Sequence, residues 1–455
     1  MLTLTLLLGI LCTPWQISRA NPTPSVRRVH VPYWTYPDFS IFWFGQVTPT
    51  TNYADVRMKY DPNNLRITLH IVDRLLYANP TPLLTDLTEW DAVSIYLNPN
   101  GVTGDQPALN AHRFTAQLWA TQAGDNREAS YQWNGADWIT STVPFTVTTT
   151  WRGNSPNDNL DDKGWEADFV IPFTSLGVAT PLTGTTWGLA LQVHDRDDAS
   201  GTPLPAVSWP ETVEIPKPTT WGELSFGMPT YQPSLATPSG NITLRQGVNG
   251  ATVADADVGG HTTCGANGDH WSQWGETAYP HNTQVNIQSE WDVADYPCFS
   301  KYFVTFPLDR VPAGKTIISA TVTLYLFGNA GLQPGDAHPS FIQALTVADD
   351  WAESALTWNH APLVVENLGG TWVDPVDFFN PGAPYQWDVS QAVATAYAQQ
   401  TPLRLAFYSA DGAYHSGKYF WSSDADESVR PMLQVRWGDS VSATEQLYLP
   451  LIHHP

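Results

Sequence analysis

The sequence predicts an all-β protein built from two β-sandwiches, and three observations carry that prediction. Apolar and polar residues alternate over short runs: in LRITLHIVD, Leu65, Ile67, Leu69 and Ile71 share one face while Arg66, Thr68 and His70 share the other. Turn residues separate these runs at hairpin spacing, drawing on 37 Pro and 32 Gly. Charged residues make up 14% of the chain and hydrophobic residues 42%, which excludes wholesale disorder and leaves little material for long solvated helices. At 455 residues the chain is too long for one sandwich and suits two or three domains.

Taken in order, residues 1–20 read as a secretory leader, with an apolar run over 2–11 that is too short to span a bilayer as a stable helix. Residues 21–228 form the first sandwich, with strands at ADVRMKY, LRITLHIVD, AVSIYLNP, HRFTAQLWA, WEADFVIPF, WGLALQVHD and GELSF. Residues 229–240 are rich in proline and small polar residues and read as an extended linker. The second sandwich covers 241–437, with strands at YFVTFPL, TIISATVTLYLF, FIQALTVA, LRLAFYS and MLQVRW. Its one helix is DVSQAVATAYAQQ, capped by Asp388 and stopped before Pro402. Residues 438–455 are a polar tail with an apolar patch at 447–452, a docking segment or a loose end but too short for a membrane anchor.

The charge balance narrows the partners. With 21 Lys+Arg against 44 Asp+Glu the net charge is −23, which repels phosphate backbones and anionic membranes. Nucleic acid is thereby a poor partner, whereas neutral glycans and Ca²⁺ remain compatible. Plain solubility of an exported protein accounts for the acidity equally well. Export would also place Cys264 and Cys298 in an oxidising compartment once Cys12 leaves with the leader. A disulfide between them would stabilise the fold by roughly 3–4 kcal/mol on the chain-entropy model. Zinc is the alternative, but neither cysteine has a Cys-x₂-Cys partner.

The 21 tryptophans exceed what two cores need, so part of them is expected at a surface. A sugar ring offers an apolar face and a hydroxyl rim, and its site needs flat aromatics beside acidic or amide side chains. GDHWSQWGE provides that mixture through Trp271, Gln273, Trp274 and Glu276, in a loop flanked by the two cysteines that also carries Trp291. Trp90 in LTEWD and Trp119 in RFTAQLWA are further candidates; covering the ends of the sandwiches is the plainer role for each. Acidic residues beside glycine in HDRDDASG and ADADVGG make Asp195, Asp197, Asp198, Asp255 and Asp257 candidate ligands for a structural Ca²⁺, against the alternative of solvated turns. No Gly-x-Ser-x-Gly, His-Glu-x-x-His, P-loop or dinucleotide pattern is present.

VRMKYDPNNLRITLHIVD, EWDAVSIYLNP, WEADFVIPFTSLGV and TTWGLALQVHD, followed by PTTWGELSF, resemble family 9 carbohydrate-binding modules in order and spacing. The sugar-clamping tryptophans of that family fall here on Thr88 and Ile215 and its strand glutamate on Ser94, so the resemblance implies the sandwich rather than that family's sugar. KYFVTFPLDRVPAGKTIISATVTLYLF, VADDWAESALTWNHAP, QWDVSQAVATAY and KYFWSSDADESVRPMLQVRW resemble the DNRLRE domain, related to family 96 carbohydrate-binding modules. That likeness implies a jelly-roll-like sandwich on a surface or polysaccharide-active protein.

The function expected from these readings is a secreted, non-catalytic protein that attaches to a neutral glycan at the cell surface or in the matrix, with no required cofactor. A structural surface or filament protein, with protein contacts or homo-oligomers, is the alternative. A glycan-active enzyme, which needs a facing pair of carboxylates, is the third.

Overall fold

The computed structural model describes residues 26–33, 39–119, 126–260, 269–289, 296–331, 335–377 and 380–441. The leader, Cys264, Trp291 and the 447–452 patch lie outside the described residues. The protein is almost wholly β, with one α-helix, and no described helix is long and apolar enough to cross a membrane.

The first sandwich sets a five-stranded antiparallel sheet against a larger one. The five strands run in the order Ser40–Thr48, Thr51–Tyr60, Asn64–Val72, Gly164–Pro172, Thr146–Arg152. Opposite lie Arg28–Val31, Gly222–Phe226, Thr186–Asp195, Ala92–Asn98, His112–Gln117, Glu128–Trp133 and Trp138–Ser141. Leu65, Ile67, Leu69 and Ile71 point into this core as their alternation predicts. Trp165, Trp187 and Trp209 join them.

The second sandwich sets Ala254–Val258, Phe299–Phe306, Leu403–Ser409, Ser340–Val347 and Val364–Val373 in one sheet. Facing them are Ala236–Leu244, Met432–Ser440, the long strand Thr316–Asn329, Ala383–Asp388, Lys418–Trp421 and Gln284–Ser289. The helix Ser390–Gln399 covers this core through Ala392, Val393 and Ala396. Asp388 Oδ1 accepts the Ser390 N–H (2.9 Å), and Gln400 ends the helix in the left-handed region, ahead of Pro402.

The expected linker is corrected in part. Residues 236–240 open the strand Ala236–Leu244, because the free edge of Met432–Ser440 supplies a ladder, with its irregularity between Pro238 and Gly240 where proline has no N–H to give. Nor do the sandwiches move independently about a spacer. On the polar face of Asn64–Val72, Arg66 is exposed, but Thr68 and His70 are buried at 9% and 8% exposure. One hydrophobic cluster runs through both halves, joining Trp43 and Tyr53 to Phe303, Trp358 and Tyr408.

Three buried amides of the second half bind backbone edges of the first. Asn367 accepts the His30 N–H (2.7 Å) and donates to its carbonyl (2.9 Å). Gln343 accepts from Ile41 N–H (3.1 Å) and donates to the Phe39 carbonyl (2.6 Å). Asn359 accepts from Val47 N–H (2.8 Å) and donates to its carbonyl (3.0 Å). Val47 is free for this because the hairpin bulges after Gly45, whose φ of +82° and close approach to Asn52 leave no room for a Cβ. Each amide thus completes an edge that would otherwise be buried unpaired.

Between the amides sits a buried lysine. Lys301 is 0% exposed, its Nζ 3.4–5.1 Å from the ring centres of Trp43, Tyr53, Trp358 and Tyr408, two from each half. Burial pushes its ammonium well down, while the charge of Asp55 opposes that shift and the ring faces favour the cation. Asp55 in turn accepts from the hydroxyls of Tyr53, Tyr408 (2.8 Å) and Ser289 (3.3 Å).

A core and hydrogen-bond set shared in this way predicts one cooperative unfolding transition for both halves, seen as coincident far-UV and tryptophan curves in urea. Asn367→Leu leaves two His30 backbone groups buried and unpaired and is expected to cost about 2–5 kcal/mol. Lys301→Met, which keeps the volume and removes the desolvated charge, is expected to hold or raise the urea midpoint.

Candidate functional site

The seam between the sandwiches opens at one end into a cleft of ≈ 490 Å³, within the range of small-ligand sites. A second hollow of ≈ 120 Å³ beside Tyr231 and Trp387 is too small for a sugar ring. Asn154, Asp161 and Lys163 line the cleft from the first half, and His270, Trp271 and Tyr296 from the second. The 153–163 loop is set by Gly153, whose φ of +110° brings it against Asp162, and Asn154 Nδ2 donates to the Asp161 carbonyl (2.9 Å). Opposite, Asp269 organises the turn: its Oδ1 accepts the N–H groups of Trp271 (3.1 Å) and Ser272 (2.8 Å), and its carbonyl accepts from Gln273 and Trp274.

The aromatic wall is built by contact between rings. His270 lies 4.9 Å from Trp271, 5.0 Å from Trp274 and 5.2 Å from Tyr296, with Nε2 and the Tyr296 hydroxyl 3.0 Å apart. Burial lowers the His270 imidazole to about 4, so it is neutral at physiological pH. The Lys163 ammonium lies 5.1 Å from the Tyr296 ring centre across the cleft. Aromatic rims, a neutral imidazole, an ammonium and an exposed carboxylate therefore converge on one volume.

The structure separates the residues that the sequence had grouped. Trp271 presents only a rim to the cleft, at 7% exposure. Trp274, expected as a platform, is core: it is 1% exposed, 4.7 Å from Trp358, because the turn directs it into the seam. Gln273 is exposed but turns back on the Asp269 N–H (3.3 Å). Glu276 is engaged with Asn359 Nδ2 (2.7 Å) and supports an amide of the interface. Trp90 is half-buried, and Arg196 stands 4.3 Å over its ring, which takes one stacking face. Trp119 is half-buried edge-on to Trp151. Trp151, at 38%, is the most open tryptophan among the described residues and was not picked out in the sequence; its edge-strand position in TVTTTWR is the signal. Cys298 is buried just ahead of Phe299–Phe306.

Of the acidic candidates, Asp195 and Asp197 are brought together with Asp73, one ligand atom from each lying within 4.8 Å of the others. Asp91 stands beside them, its carboxylate accepting from the Tyr77 and Arg196 N–H groups (2.6 and 2.9 Å). Topology makes the cluster: Ala92 pairs with His194, so the start of one strand and the end of its neighbour meet where Asn64–Val72 also ends. Burial raises Asp195 to about 7, with the Asp197 charge adding, and it raises Asp73 and Asp91 well above the usual range, with neighbouring aspartates adding. Asp73 Oδ2 and Asp195 Oδ1 have no hydrogen-bond partner among the described residues. Hard oxygen donors left unpaired in this way fit Ca²⁺.

The other acidic candidates are corrected. Asp198 caps its own turn through Ser200 N–H (2.8 Å) and Gly201 N–H. Asp255 and Asp257, expected in a loop, lie on Ala254–Val258 facing inward. Asp255 is spent on the Tyr302 hydroxyl (2.5 Å) and on Ser423 (2.7 Å from both N and Oγ). Asp257 takes the Asn286 N–H (3.1 Å). His281, Glu353 and Asp424 form a further exposed group, with His281 Nδ1 3.0 Å from Glu353 and 3.7 Å from Asp424.

Residues 266–436 match carbohydrate-binding module family 96. The match holds the whole aromatic wall of the cleft, His270, Trp271 and Tyr296, and it supports carbohydrate binding. Among solved structures, a family 9 carbohydrate-binding module from Caldicellulosiruptor kristjanssonii in complex with cellotriose is similar at 18% identity and TM-score 0.31, over 45% of this chain and 95% of that one. A family 9 module from the same organism in complex with glucose is similar at 18% identity and TM-score 0.32, over 45% and 99%. No curated protein matches the chain.

Asp257 gives the second half a pH dependence. Burial raises it to about 8, so the folded state holds its proton more tightly than the unfolded chain. Its contribution is therefore full below about pH 4 and is lost as pH rises to about 8. The unfolding free energy from urea titrations between pH 5 and 8 is expected to fall, by of order a few kcal/mol at most, and Asp257→Asn is expected to flatten that slope.

Proposed function

We propose that the protein is an exported, non-catalytic attachment protein of a cell surface or matrix that takes a neutral saccharide in the cleft between its sandwiches. The observation that carries this reading is the cleft itself: polar groups of one half face the aromatic wall of the other, and that wall lies inside the stretch that matches a carbohydrate-binding family. The rims of Trp271 and Tyr296 offer C–H contact, and Asn154, Asp161 and Lys163 offer hydroxyl partners. The net charge of −23 favours a neutral glycan over a polyanion. The apolar run at 2–11 supports export, and export supports a Cys264–Cys298 disulfide closing the loop that carries this wall. Calcium is the cofactor we propose for Asp73, Asp195 and Asp197.

The burial of Trp274 and most other tryptophans favours a second reading, a structural surface protein whose aromatics serve the fold. Affinity electrophoresis in gels containing neutral polysaccharides separates the two. Retardation is expected, weakened about tenfold (~1.4 kcal/mol) by Lys163→Met or Tyr296→Phe with the fold intact. Unretarded migration of the folded protein in every neutral polysaccharide, with regular oligomers by light scattering, supports the structural reading instead.

A further inference from the structure

We propose that a calcium ion held by Asp73, Asp195 and Asp197 fixes one wall of the interdomain cleft, so that cation binding and cleft occupation are linked; the saccharide part of this rests on the reading above. The three carboxylates offer oxygens within 4.8 Å of one another, about the widest separation two oxygens reach across an ion bound at about 2.4 Å. Asp73 and Asp195 are 1% and 2% exposed, and each keeps one oxygen with no partner among the described residues. A buried carboxylate oxygen left unpaired is costly, and a hard cation removes that cost by ligation.

The route from the cluster to the cleft is short and made of hydrogen bonds. Asp73 follows the strand Asn64–Val72, and the residues straight after it hold the cleft loop. The Arg74 carbonyl accepts the Asp162 N–H (2.7 Å), and the Leu76 carbonyl accepts the Asn157 N–H (2.7 Å). Leu76 N–H donates to Asp162 Oδ2 (3.3 Å), and Arg74 Nε donates to Asp161 Oδ1 (2.7 Å). Asp161, Asp162 and Lys163 then face the cleft. Gly164 closes the loop at φ +115°, so close that a Cβ would lie 1.9 Å from the Ile71 carbonyl oxygen and 3.0 Å from the Asp73 nitrogen. The loop therefore has no slack against the segment that carries Asp73.

Without the ion, the carboxylates repel and the 73–76 and 195–197 segments must part or take up protons, and the loop follows. With the ion, the wall is set before a ligand arrives, and less ordering is lost on binding. Linkage makes the effect reciprocal.

The test uses the full chain stripped with EGTA. Terbium luminescence excited through nearby tyrosines is expected to rise saturably and to be displaced by calcium chloride. Asp195→Asn, and Asp197→Asn should the first not fold, is expected to lose that signal. Calcium is expected to slow amide hydrogen exchange in 153–163, and EGTA to weaken polysaccharide retardation about tenfold. Absence of terbium uptake, or uptake unchanged in both variants, overturns the cation site. Uptake without any change of exchange in 153–163 overturns the linkage. Uptake with protection, but no retardation by any neutral polysaccharide, upholds the link between ion and cleft while the saccharide reading fails.

Discussion

The rest of the structure depends on how the two sandwiches meet. In the five-stranded sheet of the first half, Thr51–Tyr60 and the end of Asn64–Val72 are buried on both faces, which alternating strands ordinarily avoid by leaving one face to water. Burying the second face is possible because its polar groups are answered one by one: three amides complete backbone edges, and Asp55, Arg57 and His70 are absorbed in a network with Ser289 and Tyr408. Lys301 then occupies the centre of the seam among four rings. An apolar seam would associate more strongly per unit area but without register; polar groups that fit in only one alignment fix how the halves are placed.

That placement creates the site. Neither half contains the cleft by itself: the 153–163 loop brings polar groups and the 270–297 region brings rings. Glu276 shows how closely scaffold and site are joined, since the carboxylate expected to bind a ligand instead steadies Asn359. The acidic cluster lies behind the polar wall, and its origin is topological, three strand ends meeting at one pole of the first sandwich.

Much of the fold was legible in the sequence. The alternation of Leu65 to Ile71 and the helix stopped ahead of Pro402 follow from period and turn chemistry, which are local. What was not legible is what requires a partner surface. Nothing in their own strand records that Thr68 and His70 meet a second layer. Trp274 read as a platform because a tryptophan among polar residues looks exposed until the turn at Asp269 fixes its direction. Asp195 and Asp197 were visible as an acidic pair, but Asp73 and Asp91 lie more than a hundred residues away, and only strand order brings them together. Asp255 and Asp257 misled for the opposite reason: an acidic stretch with glycine resembles a loop, although their alternation with alanine and valine is that of a strand.

The three amides recognise main chain rather than side chains, and this shapes how the protein can change over time. His30, Phe39, Ile41 and Val47 offer these amides only N–H and C=O groups, so the three contacts do not depend on which side chains stand there. The restriction falls on the other side, where Gln343, Asn359 and Asn367 have no substitutes of equal reach and polarity. It falls also on any attempt to excise one half at the proline-rich stretch: cutting there strips the cover from Trp43 and Tyr53 on one piece and from Phe303 and Trp358 on the other. The pair must be transplanted as a single module.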